Sequence, residues 1–159
     1  MIEISAATDA DHDWARALLK ERWTSARIVT RGRVHRADRL PAFVARLDGE
    51  RAGLATYRLE GAECEIVSLD STRERRGVAS ALVGAVRAEA ARRGCRRLWL
   101  VTTNENVRAQ RFYEGRGFAL ARVHRGAVEA DRRLKPSIPK LGEGGVPIVD
   151  EHEYELALP

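Results

Sequence analysis

The sequence of 159 residues predicts a mixed α/β fold, a central mixed sheet with helices packed against it. Three observations predict it. Between Phe43 and Leu69, three segments alternate with a period of two and are separated by turn dipeptides. Val78, Leu82, Val86 and Ala90 then recur every four residues, the stripe of an amphipathic helix. The short, nearly all-apolar run Leu98–Thr102 follows, as expected of a strand covered on both faces. Strand, helix and buried strand in that order make a right-handed crossover between parallel strands. A single domain of this length buries roughly 70% of its surface, enough for a core.

Taken in order, Ile2–Ala6 alternates briefly and predicts a first strand. Thr8 is placed to cap a helix over about Asp9–Arg22, with Trp14, Leu18 and Leu19 at helical spacing. The arginine-rich stretch Thr24–Pro41 has no clean period and reads as loop and short helix. Phe43, Ala45 and Leu47 alternate with Val44, Arg46 and Asp48 as a strand, and Asp48-Gly49 is a hairpin signal. Leu54–Glu60 and Glu63–Leu69 complete an antiparallel meander across a turn at Gly61-Ala62. The amphipathic helix spans Gly77–Arg93, with Gly94 where a C-terminal cap belongs. Asn106–Gly115 reads as a second helix, Phe118–Val123 as a strand and Ala127–Leu134 as helical. Pro136, Pro139, Gly142, Gly144, Gly145 and Pro147 punctuate a long connection, of the kind that is usually functional or mobile. His152, Tyr154, Leu156 and Leu158, alternating with Glu151, Glu153 and Glu155, then predict a closing strand.

Composition narrows the function. Hydrophobic residues are 44% and charged residues 32% of the chain, which excludes a disordered tract. No apolar run approaches the roughly 20 residues of a spanning helix, so no membrane role is expected. The first residues, MIEISAATDAD, lack the basic start and apolar run of a secretion signal, which points to the cytoplasm. Cys64 and Cys95 are isolated, without metal-binding spacing, and read as small core residues with no metal. The net charge is +5 and only Lys20, Lys135 and Lys140 among the 28 basic residues are lysines. These cations are scattered among Asp and Glu, which favours a compositional preference over a nucleic-acid stripe.

Two segments carry chemistry. Asp70–Ser80 joins the third meander strand to the amphipathic helix and leaves backbone N–H groups unpaired at the helix start. Those amides and the helix dipole favour an anion there, with Gly77 and Ala79 small enough for close approach and Arg75 and Arg76 adding charge. The same stretch also reads as a glycine easing a tight turn between two solvated arginines. It is neither a mononucleotide P-loop nor a full GxGxxG. The second segment, Asn106–Phe118, opens on a capping Asn106 and places Ala109 and Tyr113 one turn apart.

Together, in this order and about 30 residues apart, these segments resemble the GNAT superfamily of acetyl-CoA-dependent N-acetyltransferases. Its first motif, Gln/Arg-x-x-Gly-x-Gly/Ala, aligns with Glu74-Arg75-Arg76-Gly77-Val78-Ala79. Its second, Asn-x-x-Ala-x-x-x-Tyr-x-x-x-Gly-Phe, is matched by Asn106, Ala109, Tyr113, Gly117 and Phe118. The resemblance runs from about residue 2 to residue 124 and covers the Pro/Gly-rich third loosely. Glu74 departs from the usual Gln or Arg, and it is expected to point outward because the turn amides do not depend on it.

The resemblance implies two central parallel strands, Glu63–Leu69 and Leu98–Thr102, that splay apart around acetyl-CoA. The backbone of Val67, Ser68 and Leu69 would bind pantetheine like an added strand, and Arg75, Arg76, Gly77, Val78, Ala79 and Ser80 would hold the pyrophosphate. Asn106 would hold the pantetheine or the helix start. Tyr113 resembles the general acid that protonates the leaving thiolate. Glu63 and Glu65 share a strand face, where either could deprotonate the amine, or both could pair with arginines such as Arg46 or Arg58. Acceptor contacts, for a small-molecule or protein amine, are expected from Trp23, Arg27, Arg33, His35 and the loop near Pro136–Pro147. A homodimer is common among similar proteins. Two other readings stay open: a CoA-binding module of the same fold without transfer, and a basic nucleic-acid-binding domain.

Overall fold

The computed structural model describes residues 1–159. Strand β1 (Ile2–Ala6) leads through a 3-10 turn into α1 (His12–Trp23). The meander is β4 (Ala42–Leu47), β5 (Glu50–Glu60) and β6 (Glu63–Ser71). Helix α2 (Val78–Arg92) crosses to β7 (Arg97–Thr103), followed by α3 (Val107–Glu114), β8 (Ala119–His124), α4 (Ala127–Leu134) and β9 (Glu151–Ala157). Seven strands make one mixed sheet in the order β1-β4-β5-β6-β7-β9-β8. The fold class and the parallel crossover are as the sequence predicts.

The Thr24–Pro41 stretch differs from expectation. Instead of loop and short helix alone, it holds a two-stranded hairpin, β2 (Arg27–Thr30) and β3 (Arg33–Arg36), with one 3-10 turn at Ala37–Arg39. Ile28, Val29, Thr30 and Val34 supply the β-branched residues. Arg31 and Gly32, both at positive φ, make the turn. The flanking arginines hide the alternation, because they remain at the surface while Ile28 and His35 are buried.

Two apolar clusters lie on opposite sheet faces. One packs α2 and α3 on the meander through Leu82, Val86, Leu98 and Phe118; the other packs α1 through Leu19, Val44 and Leu54. Gly53 sets the depth of α2. A Cβ there would lie 2.6 Å from Val78 Cγ1 and 2.9 Å from Leu82 Cδ1, so only glycine admits the helix this close. Cys64 and Cys95 are both free and buried in the first cluster. Asp11 is buried and paired with Arg46 at 2.8 Å and Arg51 at 2.9 Å, and Arg58 lies 2.9 Å from Glu60. Arg46 and Arg58 are thus taken up by carboxylates other than Glu63 and Glu65. No helix is long and apolar enough to cross a membrane.

Candidate active site

The site forms where β6 and β7 part. They pair in parallel only through Glu63↔Arg97, Cys64↔Leu98 and Glu65↔Trp99. Beyond Glu65 the ladder stops, although β6 runs on to Ser71 and β7 to Thr103. On its other side, β6 carries a bulge: Thr56 faces Ser68 and Tyr57 faces Ile66, leaving Val67 as the extra residue. A bulge bends its strand, which helps to open the gap. Val67, Ser68 and Leu69 therefore lie on a stretch of β6 with no β7 partner.

A cleft of about 490 Å³ opens on one side of this gap, lined by Leu69, the Ser71–Ser80 turn, Asn106, Ala109 and Tyr113. Gly77 caps α2 with φ +79° and Arg75 also has positive φ, at 59°. At this turn none of the amides of Arg75 to Ser80 finds an acceptor within the chain, as expected at a helix start. Arg22, Arg73, Arg75, Arg108 and Arg116 line the same cleft. The turn and these cations fit a diphosphate, and the unpaired stretch of β6 fits an extended amide-bearing arm. Arg76 lies outside the lining. Glu74 does not point away as expected: it lines the cleft and pairs with Arg108 at 3.2 Å. Ser80 Oγ accepts from Arg116 Nε at 2.6 Å, and that guanidinium stacks over Phe112.

Asn106 caps α3, its Oδ1 accepting from the Ala109 amide at 3.1 Å. One turn on, Tyr113 is buried at 7% exposure between Phe112 and Phe118, yet reaches the cleft. Its hydroxyl makes no hydrogen bond within the chain. Burial, with the Asp70 charge nearby, pushes its pKa above the ordinary 10 and keeps the phenol protonated. Asp70 accepts from Trp23 Nε1 at 2.8 Å.

A second cavity, of about 270 Å³, lies on the opposite side of the gap and shares Arg22 and Asn106 with the cleft. Its walls are mostly apolar: Trp23, Ile28, Val67, Val101, Val128 and Ile148 among them. It also includes Thr30, Asp131, Lys135, Glu151 and the Ser137–Pro139 stretch of the long connection. Glu151 and Asp131 are both buried, at 3% exposure. Both are held by the hairpin turn: the Arg31 amide donates to Glu151 at 3.2 Å and the Gly32 amide to Asp131 at 2.9 Å. Burial, and the Asp131 carboxylate beside it, push the Glu151 pKa above the usual carboxylate range. Lys135 closes another wall, donating to the Trp23 and Arg27 carbonyls at 2.5 Å each.

The two strand glutamates part company. Glu63 is at the surface, 2.9 Å from Arg97, and lines neither cavity. Glu65 is buried at 3% exposure and accepts from Thr30 Oγ1 at 2.7 Å. His35 Nε2 is 2.7 Å from the same Thr30 oxygen. It is buried and lies on β3 rather than on a loop. Burial raises the Glu65 pKa to about 7; burial, then Arg58 and Arg33, lowers that of His35 to about 4. Of the expected acceptor contacts, Trp23 and the long connection reach the second cavity; Arg27, Arg33 and His35 do not line it. Sequence reasoning missed Thr30, Asp131 and Glu151. No local motif marks them, although the β-branched run before Gly32 would have placed Thr30 on a strand. No group of three or more His, Cys, Asp or Glu side chains is placed to hold a metal ion.

The uncharacterized protein YdhI of Bacillus subtilis is 42% identical over 130 residues, covering 81% of each chain. The solved IAA acetyltransferase of Bacillus cereus superposes with a TM-score of 0.75 at 17% identity, over 99% of this chain and 100% of that one. A Bacillus subtilis acetyltransferase solved in complex with CoA gives 0.68 at 17% identity, over 99% and 98%. Residues 5–118 match the profile of the acetyltransferase (GNAT) family, and the chain belongs to that family.

Proposed function

We propose that this protein transfers an acetyl group from acetyl-CoA to a primary amine, by direct attack with both substrates bound. The observation that carries the reading is a pair of cavities on opposite sides of one strand gap, sharing Arg22 and Asn106. A thioester from one side and an amine from the other would meet there.

Acetyl-CoA, when bound, supplies an activated acetyl thioester. The amides of Gly77 to Ser80 and the cleft arginines would hold its diphosphate. The unpaired stretch of β6 at Val67–Leu69 would hold the pantetheine by strand-like hydrogen bonds and offer an N–H to the charge developing on the carbonyl oxygen. Asn106 keeps the start of α3 in place. Tyr113, kept neutral by burial, gives its proton to the leaving thiolate. Glu65, joined to the cavity wall through Thr30, receives the proton of the attacking amine, while Glu63 plays no part because Arg97 holds it at the surface.

The acceptor cavity, at about 270 Å³, falls just below the roughly 300–1,000 Å³ typical of small-molecule sites. Its volume suits a small amine, or one residue of a larger chain, with an apolar body and a cationic end near Asp131 and Glu151. Thiol release from acetyl-CoA, followed across a panel of primary amines, tests the reading. Amine-dependent release is expected. Tight acetyl-CoA binding with no release on any amine would instead make this a CoA-binding module.

A further inference from the structure

Glu65 lies behind the acceptor cavity rather than in its wall. The residue that stands between them is Thr30, which lines the cavity and also donates its hydroxyl proton to Glu65 Oε2 at 2.7 Å. A base with no direct path to its substrate needs an intermediary. Thr30 is the group in position to be one.

The hydrogen-bond arithmetic fixes the rest. A hydroxyl has one proton and two lone pairs. Once that proton points at Glu65, the 2.7 Å contact with His35 Nε2 requires the imidazole to be the donor. His35 then carries its proton on Nε2, and its N–H fills one lone pair of the Thr30 oxygen. The second lone pair is left for a donor in the cavity. Thr30 is at 7% and His35 at 3% exposure, so bulk water does not compete for these contacts.

We propose that the Thr30 hydroxyl relays the proton of the attacking amine to Glu65, and that His35 is the positioning residue that aims it. The assignment rests on the acetyl-transfer reading. As the amine nitrogen bonds to the acetyl carbon, its N–H bond breaks and an O–H bond forms on Thr30. The original Thr30 proton leaves at once for Glu65 Oε2, so the hydroxyl ends neutral and Glu65 ends as a carboxylic acid. Between turnovers Glu65 returns its proton to solvent. Its surroundings are His35, 3.8 Å away, with Arg58 and Arg33 favouring the carboxylate and Glu153 opposing it. Neutral His35 adds no charge to this set.

Two measurements test the relay. The first needs no acceptor: nitrogen NMR of the free protein at pH 7 reads the His35 tautomer. A neutral ring protonated on Nε2 supports the relay. A ring protonated on Nδ1 overturns it, since Thr30 would then have to donate to His35. The second compares Thr30→Val, Thr30→Ser and Glu65→Gln on the fastest amine of the panel. General-base relays contribute roughly 100-fold or more, so Thr30→Val and Glu65→Gln should each lose about 100-fold in kcat, with the KM for acetyl-CoA unchanged. The double variant should lose no more than either alone, and Thr30→Ser should recover most of the rate. The acidic limb of the parent's pH profile, near pH 7, should vanish with Thr30→Val. Thr30→Val within threefold of the parent, or losses that multiply in the double variant, would overturn the relay while leaving acetyl transfer intact. Failure of the parent on every amine would instead defeat the acetyl-transfer reading, and the tautomer measurement would still decide the hydrogen-bond direction.

Discussion

The cleft over the start of α2 and the cavity beneath the β2–β3 hairpin meet at one gap, yet they are made of different material. The cleft is built mainly from backbone: free amides at the α2 start, left-handed Arg75 and Gly77, and a strand edge without a partner. The cavity is built from side chains contributed by α1, the hairpin, β6, β7, α4, the long connection and β9. A backbone site needs particular residues at fixed neighbouring positions, so it leaves a motif. A side-chain site gathers residues distant in the chain, and its chemistry changes with any one of them. On the proposed reading, the cosubstrate is held by shared architecture and the acceptor is chosen locally.

Substitutions that separate the two regions sharpen this contrast. Tyr113→Phe keeps the ring packing with Phe112 and Phe118 but removes the acidic proton. Its kcat should fall about 100-fold with acetyl-CoA affinity nearly unchanged, as steady-state kinetics with thiol detection would read. Gly77→Val acts on the cosubstrate alone. A β-branched residue at φ +79° is strained by about 1–3 kcal/mol, so the substitution distorts the turn that presents the α2 amides, and its Cβ would meet Ile2 Cδ1 at 3.7 Å. Calorimetric titration should show acetyl-CoA binding weakened by about 30-fold, with the amine KM little changed. An equal effect of Gly77→Val on both substrates would break the contrast.

Glu151→Gln probes the other region. It should raise the amine KM by about 10-fold, the scale of a lost charge-assisted contact, and leave acetyl-CoA binding alone. Stability offers a quieter test. His35 is held neutral, with its pKa lowered to about 4 from 6.5. The sign follows from linkage: its contribution is present above pH 6.5 and lost as pH falls towards 4. Glu65, raised to about 7, acts oppositely, losing its contribution as pH rises through 7, and Glu151, also raised, acts in the same sense as Glu65. The difference between the parent and His35→Gln in urea midpoint should therefore shrink from pH 7 to pH 4.5. Smallest of all, Glu63→Gln should alter kcat by less than twofold, because it disturbs only a surface ion pair with Arg97.

The same contrast explains what was legible in the sequence. The meander, the crossover helix and the parallel pairing follow from periodicity and turn dipeptides, and Gly77 with Asn106–Phe118 locate the cleft. The hairpin at Arg27–Arg36 escaped because four of its ten residues are arginines whose heads stay at the surface. Strand β5 begins at Glu50, four residues before the apolar alternation suggests. Gly53, which breaks the apolar pattern, is there to admit α2. Glu151 looks like one of three solvated glutamates on a closing strand, and only the hairpin turn packed above it makes it a buried cavity wall. Glu63 and Glu65 share a spacing but not a surrounding: Arg97 claims one, Thr30 and His35 enclose the other.

A crystal structure with acetyl-CoA tests the central claim most directly. The diphosphate should lie within hydrogen-bond reach of the Val78, Ala79 and Ser80 amides. The thioester should emerge beside Val67, between Tyr113 and the second cavity. Coenzyme A bound away from that turn, or a thioester out of reach of both the tyrosine hydroxyl and the acceptor cavity, would contradict the account.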